Sequence, residues 1–153
     1  MPGRDGYRRE GDAAEFFGEC RNAVRKLRAL NERLDDMADN GYLRAITYGP
    51  RAAGGPGESR VERDAMQSDA LYDEIRRCAD RYAELLFTAQ AAVSEMEADG
   101  ADAEGDVALL DYYYLQAKSV RECARLMGYS ESWVRHKKAL ALVHVAPYAP
   151  RSW

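Results

Sequence analysis

Ser119-Val120-Arg121-Glu122-Cys123-Ala124-Arg125-Leu126-Met127-Gly128-Tyr129-Ser130-Glu131-Ser132-Trp133-Val134-Arg135 is the stretch on which the fold of this chain turns. Ser119 and Glu122 have the spacing of a capping box, in which a hydroxyl and a carboxylate satisfy the free N–H groups of a helix start. A helix therefore begins at Val120. It runs only to Met127, because Gly128 supplies a turn residue that tolerates positive φ. Ser130 is a second good N-cap and opens another helix through Trp133, Val134 and Arg135. Ala124 is small enough for two backbones to approach, Gly128 follows four residues later at the corner, and Val134 six beyond as an apolar anchor. These are the requirements of a helix-turn-helix. Cys123, Met127 and Tyr129 are expected to supply supporting apolar contacts, and Trp133 reads as a core anchor ahead of a wedge between bases. Lys137 departs from the pattern, since such motifs bury an aliphatic residue one turn past Val134. Its stem is expected to lie along the core edge with the ammonium in water.

Just upstream, Val107 to Leu115 reads as a helix with Leu109, Leu110 and Tyr113 turned inward. The run Tyr112-Tyr113-Tyr114 is assigned to packing, because a tyrosine nucleophile needs basic groups arranged about a phosphodiester and none accompany it. The acidic, glycine-containing break from Asp99 to Asp106 is taken as a domain boundary.

Further upstream, Leu71, Ile75, Cys78, Tyr82, Leu85, Ala89, Ala92 and Met96 alternate four and three residues apart, a 3.5-residue period that makes a coiled-coil-like seam. From Asp12 to about Asp39, Phe17, Cys20, Val24, Leu27, Leu30, Leu34 and Met37 fall on one face of another long helix, with Gly41 as its stop signal. The two are expected to fold back as an antiparallel hairpin, Met37 near Leu71 and Cys20 near Ala89, leaving Cys20 and Cys78 far apart. The fold class is all-α. The expected layout is a disordered arm over 1–10, a helical hairpin over 11–98 with a flexible Gly/Pro-rich loop at 41–66, a helix-turn-helix module over 104–147, and a tail over 148–153. A two-helix hairpin buries little, so the seam Leu71, Ile75, Tyr82, Leu85, Ala89 and Met96 needs either self-association, as a homodimer, or packing on the C-terminal module to cover it.

Composition narrows the function classes. The chain has 153 residues and a net charge of −4, room for one ordinary domain or a scaffold plus a small module. Charge is unevenly placed: from Gln116 to Arg151 seven cations face two carboxylates, a local +5 that leaves −9 for the rest. A basic reading head on an acidic scaffold has that asymmetry, as does a merely solvated surface. No run approaches the roughly 20 apolar residues of a membrane span, and the first ten residues lack the apolar core of a secretory signal, so a cytoplasmic protein without membrane contact is expected. Cys20, Cys78 and Cys123 are too few and too scattered for a disulfide framework, no local zinc-ligand spacing occurs, and neither metal nor cofactor is expected. An enzyme is not expected either. The acidic pairs Asp35-Asp36, Asp73-Glu74 and Glu95/Glu97 fall on polar faces or ends, and Gly54-Gly55-Pro56-Gly57 is not followed by the Gly-Lys-Ser/Thr of a phosphate loop.

Leu110-Asp111-Tyr112-Tyr113-Tyr114-Leu115, Ser119 to Ala124, Met127-Gly128-Tyr129-Ser130 and Val134 followed by Ala141-Leu142 resemble the region-4 helix-turn-helix of sigma factors. They resemble still more the phage and prophage late-gene activators of the RinA and ArpU type, in which long N-terminal helices precede such a module. The sharp part of the resemblance covers about a quarter of the chain. It implies that the helix from Glu131 enters the major groove of duplex DNA, with Glu131, Ser132, Arg135, His136 and Ala139 toward base edges. Arg135 is then the strongest candidate for a bidentate pair with guanine. Lys118, Arg121, Arg125 and Lys138 would hold phosphates, which orient without specifying sequence. The function so implied is transcriptional regulation, with RNA polymerase as a further partner. Two alternatives stand beside it: a small terminase-type packaging subunit, and an adaptor that clamps RNA polymerase or another helix through the Leu71 to Met96 seam.

Overall fold

A computed structural model of the chain describes residues 4–48, 60–100 and 105–151, with side chains at 11–39, 62–63, 65–100 and 105–151. Every element among them is helical: α1 (Arg4–Tyr48), α2 (Arg60–Ala98), α3 (Asp106–Leu109), a π-helical segment (Leu110–Leu115), α4 (Val120–Met127), α5 (Glu131–Val145) and a closing 3-10 turn (Ala146–Tyr148). No described helix is long and apolar enough to cross a membrane.

Both long helices exceed their expected bounds. Arg4 to Glu10 continues α1 instead of forming an arm, and 41–48 and 60–66, expected as loop, are helical; 49–59 lies outside the described residues. A single interior glycine such as Gly41 costs a helix only about 1 kcal/mol, too little to end one of this length. The stronger signal is Pro50, which disfavours helical geometry in the residue before it; α1 ends at Tyr48.

The chain divides into two compact units, and not at the acidic break. One comprises Met1–Arg25 with Arg81–Trp153, the other Lys26–Asp80. In the first, the α2 seam residues Leu85, Ala89, Ala92 and Met96 share a core with Phe16, Phe17 and Cys20 of α1, Leu110, Tyr114 and Leu115 of the π segment, and Ala141 and Val145 of α5. Phe17 meets Phe16 and Tyr114 edge-on, with centroids at 5.3 and 5.8 Å. The Cys20 thiol lies 3.9 Å from the Leu85 carbonyl oxygen, and the Tyr82 hydroxyl donates to that of Leu115 at 3.0 Å. In the second unit Leu30 and Leu71 are buried, Leu27, Leu34, Met37, Ile75 and Cys78 are half-buried, and Lys26 pairs with Glu74 at 4.0 Å.

The tyrosine run departs from a plain helix. Gln116 N–H donates to the Asp111 carbonyl at 2.8 Å, five residues back, the wider turn of a π-helix. One extra residue in a turn shifts the phase of the buried face, so Tyr114 is buried while Tyr113 is half-buried, the reverse of the emphasis an α-helical reading gives. Ala117 then leaves the helix with φ at 53°.

Candidate nucleic-acid interface

The capping chemistry read from the sequence is present. The Ser119 hydroxyl accepts from the Glu122 N–H at 3.1 Å and the Glu122 carboxylate accepts from the Ser119 N–H at 3.4 Å. These bonds from Ser119, helped by nearby Lys118 and Arg125, hold the Glu122 carboxyl below its ordinary value. Gly128 closes α4 with φ at 74°, its N–H donating to Ala124. Ser130 then caps α5, its hydroxyl accepting from the Trp133 N–H at 3.1 Å. Ser119 to Ala146 is thus two helices meeting at a three-residue corner.

A small second core fixes that corner: Leu109, Cys123, Ala124 and Val134 are buried together, with Tyr112, Val120, Met127 and Trp133 around them. Burial raises the Cys123 thiol pKa. Trp133 stacks on Tyr129, centroids 3.8 Å apart, and Tyr129 stays exposed instead of entering the core. Gly105 lies beside Trp133 with φ at 84°; a Cβ there would lie 3.3 Å from the indole and 3.1 Å from the Met127 methyl.

Lys137 does not reach water as the sequence suggested. Its ammonium turns inward to Oδ1 of Asp106 at 3.4 Å, with the side chain 14% exposed, and Nδ1 of His144 lies 2.5 Å from the other oxygen of that fully buried carboxylate. A buried anion needs paired charge and hydrogen bonds, and α5 supplies both from positions two turns apart. This cluster gave no sequence signal beyond the misfit of Lys137, because its carboxylate comes from another element.

With Val134, Ala141 and Val145 buried, α5 turns the opposite arc outward, and Glu131, Ser132, Arg135, His136 and Ala139 are all exposed on it. Arg135 donates from Nη2 to the Glu131 carboxylate at 3.3 Å. Arg121 and Arg125 are exposed on α4. Lys118 is half-buried, and Lys138 is set apart from that arc: its ammonium sits 4.4 Å from the Tyr113 ring centroid and 3.4 Å from the Tyr113 hydroxyl. Arg21, which sequence reasoning passed over, lies on the same ring at 3.9 Å and donates to the carbonyls of Tyr113 and Lys118. Two cations on one ring is a cation–π arrangement; here it fastens α1 to the chain just before α4. The seam candidates Leu71, Leu85, Ala89 and Met96 are buried, and Ile75 and Tyr82 half-buried, within the protein.

Among the described residues no cluster of three or more His, Cys, Asp or Glu side chains is placed to hold a metal ion. No protein-family model, curated protein or solved structure matches the chain.

Proposed function

We propose that the protein is a sequence-specific duplex DNA-binding regulator of transcription, of phage or prophage type, in which α4 and α5 form a sigma region-4-like helix-turn-helix. It has no catalytic role in this proposal and acts in the cytoplasm. The observation that carries it is the exposed polar arc of α5, with Arg135 61% exposed, held at a fixed corner to α4 by a buried core. A helix N-terminal half presented that way has the dimensions to enter the major groove. The exposed cations Arg121, Arg125 and Arg135 support it, since phosphate neutralisation supplies most non-specific affinity; Lys137, turned to Asp106, adds no charge to that surface. Arg121 and Arg125 are the phosphate contacts best supported by exposure, ahead of Lys138, which Tyr113 holds.

The long helices form an antiparallel hairpin in this proposal. A dimer would carry two reading helices about 34 Å apart on one face of the duplex.

Selection of bound duplexes from a random pool at fixed salt tests the role. Arg135→Ala is expected to cost roughly 1–3 kcal/mol of discrimination at one base position, and Arg125→Ala to weaken all sequences alike with a shallower salt dependence. Recovery of no preferred sequence, or equal losses for both variants on selected and random duplex, rejects the assignment.

A further inference from the structure

The arc of α5 that presents Arg135 also presents a negative charge. Glu131, one turn earlier, holds Oε2 3.3 Å from the guanidinium, and the two side chains are 46% and 61% exposed. An arginine so held is a poor clamp for phosphate: it must leave the carboxylate, or carry it against a backbone of like charge. A base edge makes a different demand. The guanidinium has five donors, of which one serves Glu131, and the others suffice for the paired acceptors of guanine. The carboxylate, an acceptor only, suits the amino group of cytosine and nothing that a phosphate offers.

We infer that Glu131 is a specificity-determining residue of this face: it holds Arg135 in position and opposes the phosphate backbone, weakening binding to every duplex but least where the base edges match the pair. This role rests on the duplex-reading function proposed above.

Kd values for a duplex selected by the wild-type protein and for random duplex of equal length, measured across a salt series, test it on the full chain. Glu131→Gln keeps an acceptor and removes the charge. It is expected to bind random duplex about three- to tenfold tighter, with a salt slope steeper by about one, while the selected duplex gains less than twofold, so that the discrimination ratio falls. Glu131→Asp, which retains the charge, is expected to keep random-duplex binding near the wild-type level; a loss of helix alone would not produce that split, and circular dichroism checks for it. If the wild-type protein selects a sequence but Glu131→Gln shifts both duplexes equally or neither, the role of Glu131 is overturned and the reading function stands. If the wild-type protein retains no duplex at low salt, both are overturned.

Discussion

Asp106→Asn removes one charge from the interior and almost no volume. Asp106 is fully buried, and its carboxylate meets Lys137 at 3.4 Å and His144 at 2.5 Å, with the Lys137 side chain only 14% exposed. Removing one partner of such a pair strands the other charge in a medium that solvates it poorly, at a cost of about 3–5 kcal/mol, a large share of the roughly 5–15 kcal/mol that holds a domain together. With a urea m-value near 2 kcal/mol/M, the midpoint should fall by about 1.5–2.5 M. Lys137→Met, which restores the apolar residue such a position ordinarily holds, should also destabilise, by removing the cation that faces Oδ1 of Asp106. The double variant is the decisive one: with neither charge present, stability should return to within about 1 kcal/mol of the wild type. Urea unfolding of all four proteins, followed by far-UV circular dichroism, gives the coupling energy directly. A loss below about 1 kcal/mol for Asp106→Asn, or a double variant that merely sums the two singles, would refute the reasoning.

Other consequences are as direct. Gly105→Ala should cost about 1–2 kcal/mol in the same urea assay, because φ of 84° is a left-handed geometry and the new methyl would crowd Trp133 and Met127; a neutral result would show that the turn relaxes freely. Thiol alkylation of the native protein should modify Cys78, which is half-buried, well before Cys20 and Cys123, both buried, and burial pushes the Cys20 thiol up to about 12; equal rates for all three would contradict the packing. Because the Cys20 and Tyr114 pKa values are raised in the fold, chiefly by burial, their contribution is complete below the unfolded values and is lost as pH rises, so alkaline unfolding should begin near pH 9, the ordinary thiol value, and Cys20→Ala should blunt it. Glu122 has the opposite sign: its carboxyl is lowered, so the capping box helps above the ordinary carboxylate range and its help is lost on acidification, and Ser119→Ala should cost about 0.5–2 kcal/mol at neutral pH with a weaker acid dependence.

What could be read from the sequence was chemistry confined to a few neighbouring residues. Ser119 with Glu122, Gly128 and Ser130 each fix a helix end by bonds within one turn, so their structure follows from spacing. The seam from Leu71 to Met96 was legible for a similar reason, since burial on one helix face leaves a period. Its partner was less so: Phe16 and Ala13 are buried beside the expected Phe17 and Cys20, and the core that Phe16 joins reaches α5. The π turn escaped notice because Asp111 to Leu115 carries no residue type that demands an extra residue per turn. Asp106 with Lys137 and His144, and Arg21 with Tyr113 and Lys138, are contacts between elements distant in the chain. Composition marks neither; only Lys137, a cation where an aliphatic was due, hinted that a buried charge had to be answered. On α5, the outward placement of Glu131, Ser132, Arg135 and His136 was expected from the family resemblance and all four are exposed, whereas the diversion of Lys138 onto Tyr113 required the π segment to be in place.

The unit that holds α4 and α5 is assembled from both ends of the chain, Met1–Arg25 and Arg81–Trp153. At roughly 5–20 residues per second, a ribosome needs on the order of ten seconds to travel from Phe17 to Val145, and during that interval two phenylalanines wait for the apolar surface that will cover them. Long-range closure of this kind also slows folding once synthesis is complete. A nascent chain is therefore exposed to chaperones and to its neighbours through its first helix, and a fragment cut at the acidic break would leave Leu110, Tyr114 and Val145 facing water.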